Sequence, residues 1–136
     1  MDRKQFLKLT GLSVSTLLFA KCFTGCDDAS VNAPSNVDFS IDLNDSNYSV
    51  LKENGKFVVI NGILVARTVS GSYIAVSSKC THEGVTVEYQ SDNDRIHCPA
   101  HDSIFSISGK RQSGPAKKDL VQYKIEDKGN VLRIYS

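Results

Sequence analysis

The chain reads as an all-β domain behind an N-terminal leader. Three observations predict this. Nine short runs of strand character follow one another between residues 39 and 135, turn-forming clusters separate several of them, and no amphipathic helix of useful length appears after the leader. The runs are 39–43, 57–60, 63–69, 73–77, 85–89, 95–98, 104–108, 120–126 and 131–135. They are rich in Val, Ile, Phe and Tyr and are either alternating or apolar throughout, as strands buried on one face or on both require. Gly71-Ser72, Asp92-Asn93-Asp94 and Lys128-Gly129-Asn130 fall between runs and supply residues suited to tight turns. No internal repeat interrupts the pattern.

Residues 1–25 read as an export signal. Arg3, Lys4 and Lys8 form a basic start, and residues 9–20 form a mildly apolar stretch. As a helix that stretch spans about 18 Å, short of the roughly 30 Å hydrocarbon core of a bilayer. It therefore suits a signal peptide better than a membrane span. Arg3-Lys4-Gln5-Phe6-Leu7-Lys8 resembles the twin-arginine export signal with Lys in place of the second Arg, which leaves the general secretory route open. Phe23-Thr24-Gly25-Cys26 resembles a bacterial lipobox, in which small residues precede a cysteine that becomes lipidated, and so Cys26 is the candidate lipidation site. Cys22 follows Lys21 and is the weaker candidate.

Residues 26–37 are rich in Ser, Asn and Asp and read as a flexible tether, with the folded domain over 38–136. Residues 1–25 hold four of the 16 basic and one of the 15 acidic residues, so the chain from Cys26 carries 12 and 14, a net charge of −2. No basic field for nucleic acid remains. Lys110, Arg111, Lys117 and Lys118 make a local basic cluster, read first as a solvated face and alternatively as a docking patch. Tyr89 and Tyr123 read as core or sheet-surface aromatics.

Two short clusters carry the chemistry. Cys80-Thr81-His82 is followed, after fifteen residues, by Cys98-Pro99-Ala100-His101. Each pairs a thiolate donor with an imidazole donor. A structural zinc site uses the same four donors, but zinc fingers usually place both cysteines in one pair and both histidines in the other. A Cys80–Cys98 disulfide would suit an exported domain and would leave both histidines without a role. A Rieske centre is a two-iron, two-sulfur cluster in which two cysteines hold one iron and two histidines the other. The mixed pairs match that division. Each motif would span the cluster, giving its Cys to the inner iron and its His to the outer one. His97, directly before Cys98, reads as a strand residue pointing the other way.

The resemblance to the Rieske iron–sulfur family extends beyond the ligands, over about 58–135. Residues 67–82, RTVSGSYIAVSSKCTH, resemble the family's hairpin leading into the first cluster loop, and 96–106, IHCPAHDSIFS, its second loop. Gly109, Ser113-Gly114-Pro115-Ala116, Leu120 and Tyr123 resemble its closing segment, where a Gly-Pro turn packs over the cluster. The resemblance implies a base of antiparallel sheets, a β-sandwich or barrel, carrying a smaller cluster-binding subdomain at about 78–116. It implies one two-iron, two-sulfur cluster held by Cys80, His82, Cys98 and His101, the histidines being near solvent where electrons enter and leave.

Departures from the family pattern are informative. High-potential quinol-oxidising members carry one more Cys in each loop, joined as a disulfide; Val85 and Ala100 stand there instead. Those members also carry a Ser and a Tyr that donate hydrogen bonds to sulfur. Ser103 keeps the first hydroxyl and Phe105 lacks the second. Fewer donors stabilise the reduced cluster less, which sets the expected potential below the top of the Rieske range of about −150 to +300 mV. Glu83 and Asp102 each follow a ligand histidine, where their charge would disfavour adding an electron. An acidic tip suits a basic protein surface better than an apolar quinone pocket.

The implied function is one-electron transfer with no substrate chemistry of the chain's own and no catalytic residue. The expected setting is an exported protein tethered to a bacterial membrane through a lipid anchor. There it would serve a quinol–cytochrome c reductase-like or arsenite-oxidase-like complex, with a cytochrome or catalytic subunit as redox partner and a quinol as a further candidate. A ferredoxin-type carrier for an oxygenase system is the alternative, and export argues against it. A zinc-stabilised interaction domain is the non-redox alternative. A terminal oxygenase would need a second domain for its catalytic iron, which this length does not hold.

Overall fold

The computed structural model describes residues 33–82 and 84–136. Glu83 lies outside them, as do the leader, Cys22, Cys26 and the start of the expected tether. Ten strands appear: β1 (Asp38–Asp42), β2 (Phe57–Ile60), β3 (Ile63–Arg67), β4 (Tyr73–Ser77), β5 (Glu88–Gln90), β6 (Arg95–His97), β7 (Ile104–Phe105), β8 (Arg111–Ser113), β9 (Lys124–Asp127) and β10 (Val131–Tyr135). A 3-10 turn, Ser49–Lys52, the one helical element among the described residues, joins β1 to β2. The strands pair antiparallel in three sheets, ordered β1-β10-β9, β2-β3-β4 and β5-β6-β7-β8. The chain is all-β, as its sequence predicts.

The middle sheet carries the core of the fold. Ile63 to Ala66 and Ile74 to Ser77 are buried without interruption, the mark of strands covered on both faces. Successive side chains point to opposite faces, and here the two faces feed separate cores. Ile63, Val65 and Ala75 pack with Ile41, Leu43, Leu51, Tyr123, Leu132 and Ile134. Leu64, Ala66, Ile74 and Val76 pack instead with Cys80, Val87, Tyr89, Ile96, Cys98, Phe105, Ala116 and Leu120. The cysteine-bearing sheet is thus seated on one face of the middle sheet and the terminal sheet on the other. Backbone bonds tie β4 to the approach of β9, from Tyr123 N–H to Ala75 (2.8 Å) and from Ser77 N–H to Val121 (2.8 Å).

Several boundaries differ from expectation for local reasons. The run 63–69 stops at Arg67 because Thr68 begins a turn, in which Gly71 N–H reaches the Thr68 carbonyl at 2.9 Å. Residues 85–87 form no full strand but a single antiparallel bridge, Thr86 with Lys79, closed by Cys80 N–H to the Val85 carbonyl and Val87 N–H to the Ser78 carbonyl. The run 120–126 starts as a strand only at Lys124. β8 was not expected, being wholly exposed and polar. The last residues of the expected tether lie on the folded body: Tyr123 O–H donates to the Pro34 carbonyl at 2.7 Å, and Val37 pairs through its backbone with Ser136.

Candidate metal centre

The two ligand motifs sit on two copies of one turn. The first follows β4: Cys80 N–H donates to the Val85 carbonyl (2.8 Å), and Gly84 N–H donates back to the Cys80 carbonyl (2.9 Å). The second joins β6 to β7: Cys98 N–H donates to the Ser103 carbonyl (2.9 Å), and Asp102 N–H donates back to the Cys98 carbonyl (3.1 Å). In both, the cysteine bonds the residues four and five positions on. The fourth position is left-handed in both, with φ of 73° at Gly84 and 57° at Asp102. Glycine meets that geometry at no cost, and aspartate is among the few other residues that tolerate it.

These turns sort the donors by depth. Cys80 is 0% exposed and Cys98 2%, both within the core that holds Phe105, while His82 and His101 are exposed at the surface. The two imidazoles meet edge to face, with ring centroids 5.0 Å apart and planes at 82°. Thiols therefore face inward and imidazoles outward, side by side. A donor set divided in this way fits a two-iron cluster whose irons take different ligands.

The segment after β8 ties both turns together. Gly114 has φ of 93°, and a Cβ there would stand 2.4 Å from Ser103 Cα, so the backbone passes directly against the second turn. Ser103 is fully buried, and its Oγ accepts the Ala116 N–H at 3.1 Å. At the other end, Thr81 Oγ donates to the Lys118 carbonyl at 2.7 Å. Residues 114–118 thus bridge the second ligand turn to the first.

A model of the Rieske [2Fe-2S] domain family matches residues 26–124. The chain belongs to that family. Rieske domains carry a single two-iron, two-sulfur cluster and work in electron transfer. A cytochrome b6-f complex iron-sulfur subunit of Chlorobaculum tepidum is 43% identical over 56 residues, covering 41% of this chain and 31% of the relative. The carotenoid phi-ring synthase of the same organism is 36% identical over 72 residues, covering 53% of this chain and 11% of that protein. The chain thus spans about a third or less of these relatives. Among solved structures, the cyanobacterial plasma membrane Rieske protein PetC3 from Synechocystis PCC 6803 aligns with a TM-score of 0.58 at 27% identity, covering 72% of this chain and 99% of that one. The ferredoxin of carbazole 1,9a-dioxygenase from Nocardioides aromaticivorans IC177 shares the fold, with a TM-score of 0.56 at 18% identity over 75% of this chain and 98% of that one.

Within this Rieske domain, two arrangements went unforeseen in the sequence. His97 does sit on a strand, β6, but its ring joins two carboxylates. Nδ1 lies 3.2 Å from Oε1 of Glu88, its cross-strand partner, and Nε2 lies 2.9 Å from Oδ1 of Asp102. The carboxylate expected to stand as a loop-tip charge is therefore fastened to a neighbouring strand. The second arrangement is the Thr81–Lys118 bond, which gives the middle residue of the C-x-H motif a structural task. Phe105 is buried in the core shared by both cysteines, a position that keeps water from the thiols. Tyr89 packs in that core too. Burial first, and then its bond to the Asp94 carboxylate, push the Tyr89 hydroxyl up to about 12.

Proposed function

We propose that this protein is a one-electron carrier that works as an exported, membrane-tethered subunit of a respiratory or periplasmic oxidoreductase complex, quinol–cytochrome c reductase-like or arsenite-oxidase-like. The carrying observation is the pair of exposed imidazoles set 5.0 Å apart over two buried cysteines. Cys80 and Cys98 hold the inner iron and His82 and His101 the outer one. When bound, the cluster supplies a one-electron couple whose potential follows net charge, hydrogen bonds to sulfur and solvent exposure.

The chain's own residues set the rest. The core around Phe105 excludes water from the thiolate end. Ser103 Oγ accepts the Ala116 N–H, which fixes the hydroxyl oxygen in place, and its O–H would remain a donor for a cluster or cysteine sulfur. The Gly114–Lys118 segment fixes both ligand turns, so little reorganisation accompanies electron transfer. His82 and His101, both exposed, would hold the outer iron at the surface, where a partner could approach it. That partner is a cytochrome or catalytic subunit, or a quinol on the donor side. The 43% identity to a cytochrome b6-f subunit supports this reading, whereas the dioxygenase ferredoxin shares the fold alone.

Cys26 forms the anchor, joined to the folded body by the residues before Pro34, where the chain meets Tyr123. A bacterial lipoprotein carries more than one acyl chain, enough for stable attachment, where a single chain binds only marginally. Fractionation of cells producing the full chain tests the setting. The protein is expected in the membrane fraction with its oxidoreductase partner co-purifying, and Cys26→Ser is expected to release it while Cys22→Ser does not. A soluble full-length protein that passes electrons to an oxygenase would support the ferredoxin alternative instead.

A further inference from the structure

From the lining of a cavity beside the first ligand turn, we infer that Lys79 and Lys118, with Val121, form a docking surface for an acidic electron-transfer protein. The cavity has a volume of about 190 Å³ and is lined by Ala33, Ser77, Lys79, Thr81, Lys118, Asp119 and Val121. Lys79 directly precedes the ligand Cys80, and Thr81 lies between Cys80 and His82. The Thr81 bond to the Lys118 carbonyl holds the second lysine's backbone against that turn.

Three features make this a recognition surface. Both lysines are exposed, and neither ammonium forms an ion pair among the described residues. Lys117, next to Lys118 in the chain, is also exposed. Val121 is 48% exposed, one of three exposed large apolar side chains among the described residues, and it lies in the same cavity. Val121 beside the two lysines gives an apolar contact with a polar, solvent-accessible rim, the general anatomy of a protein interface.

The lining keeps a positive excess, with two lysines against the single carboxylate of Asp119, whose Oδ1 accepts the Arg111 backbone N–H at 2.8 Å. Asp102, on the other turn, is engaged by His97. The chain from Cys26 has a net charge of −2, so the positive rim at the His82 side gives the molecule a polarity. A partner with clustered carboxylates is drawn to the edge where the imidazoles are exposed. The inference rests on the electron-carrier reading and specifies which surface the partner uses.

The test uses the full holoprotein, reduced and then oxidised by two small complexes of opposite charge, hexacyanoferrate(III) and tris(phenanthroline)cobalt(III). Rates are followed by stopped flow against ionic strength. Steering by a local charge cluster changes association rates by about 10-fold or more at low salt. The double variant Lys79→Gln/Lys118→Gln is expected to lose about tenfold in rate with hexacyanoferrate, and to lose most of its salt dependence. Its rate with the cobalt complex should hold or rise. Lys128→Gln, on the terminal sheet, should behave as the parent. An oligo-glutamate peptide should slow the hexacyanoferrate reaction of the parent and not that of the double variant.

Equal losses in Lys128→Gln and the double variant would overturn the assignment. So would phosphate matching oligo-glutamate at equal charge, because the cavity would then be a small-anion pocket. If the parent exchanges electrons with neither complex, the electron-carrier reading itself fails, an outcome distinct from failure of the docking surface.

Discussion

His97 Nε2 stands 2.9 Å from Asp102 Oδ1, so a strand residue next to one ligand fastens the residue after another. Asp102 occupies the left-handed position (φ 57°) that Gly84 fills in the first turn. An L side chain there costs about 1–2 kcal/mol, and the bond to His97 offsets part of that. Glu88 on the far side of the ring holds it in place at 3.2 Å.

Asp102 variants separate strain from bonding. Asp102→Ala keeps the strain and loses the bond, and is expected to destabilise the holoprotein by about 1–2 kcal/mol in denaturant unfolding. Asp102→Gly loses the bond and the strain together and should fall within about 0.5 kcal/mol of the parent. Equal stability of the Ala and Gly variants would remove the clamp from the account.

At Gly114 the constraint is sharper. A methyl group there meets Ser103 Cα at 2.4 Å and the Asp102 carbonyl oxygen at 2.9 Å, on a backbone with φ of 93°. Gly114→Ala is expected to cost about 2 kcal/mol or more and to lower cluster content, read as iron per chain. Gly129, with open space around the same substitution, is the control for handedness alone.

Much of this was legible in sequence, and the failures share a cause. The middle sheet announced itself in the apolar runs 63–66 and 74–76, since burial on both faces leaves no polar alternation. The convergence of the four donors was legible because mixed Cys/His pairs at close spacing have few other uses. β8 was invisible because Arg-Gln-Ser has no buried face. The Glu88–His97–Asp102 chain depends on hairpin register and on a turn of the backbone four residues past Cys98, neither of which a residue pattern records. Lys118 was legible as part of a basic cluster, whereas Lys79 joins it only in the folded chain, where both line one cavity beside the first turn.

Potential is the next readout. Phe105 stands where high-potential relatives carry a hydroxyl donor, so Phe105→Tyr is expected to raise the midpoint potential. Ser103→Ala should lower it, and should also cost about 1–3 kcal/mol, because the buried Ala116 N–H loses its acceptor. Protein-film voltammetry with parallel unfolding checks both. An unchanged potential in Phe105→Tyr would show that residue 105 does not face sulfur.

Alkaline stability follows from Tyr89. Its hydroxyl ionises near 12 in the folded chain against about 10 when unfolded. The folded state therefore favours the neutral form. That contribution is whole below pH 10 and is lost as pH rises through 12. Tyr89→Phe should flatten the fall in stability across this window, measured by urea unfolding at fixed pH values. An unchanged slope would mean that another group drives the alkaline loss.

Nitrogen electron–nuclear double resonance on the reduced, purified holoprotein tests the central claim most directly. Two strongly coupled imidazole nitrogens are expected in the parent and one in either His82→Cys or His101→Cys, each variant with a lowered potential because thiolate puts more negative charge on the outer iron. A parent spectrum without nitrogen coupling, or two nitrogens persisting in both variants, would contradict ligation by His82 and His101.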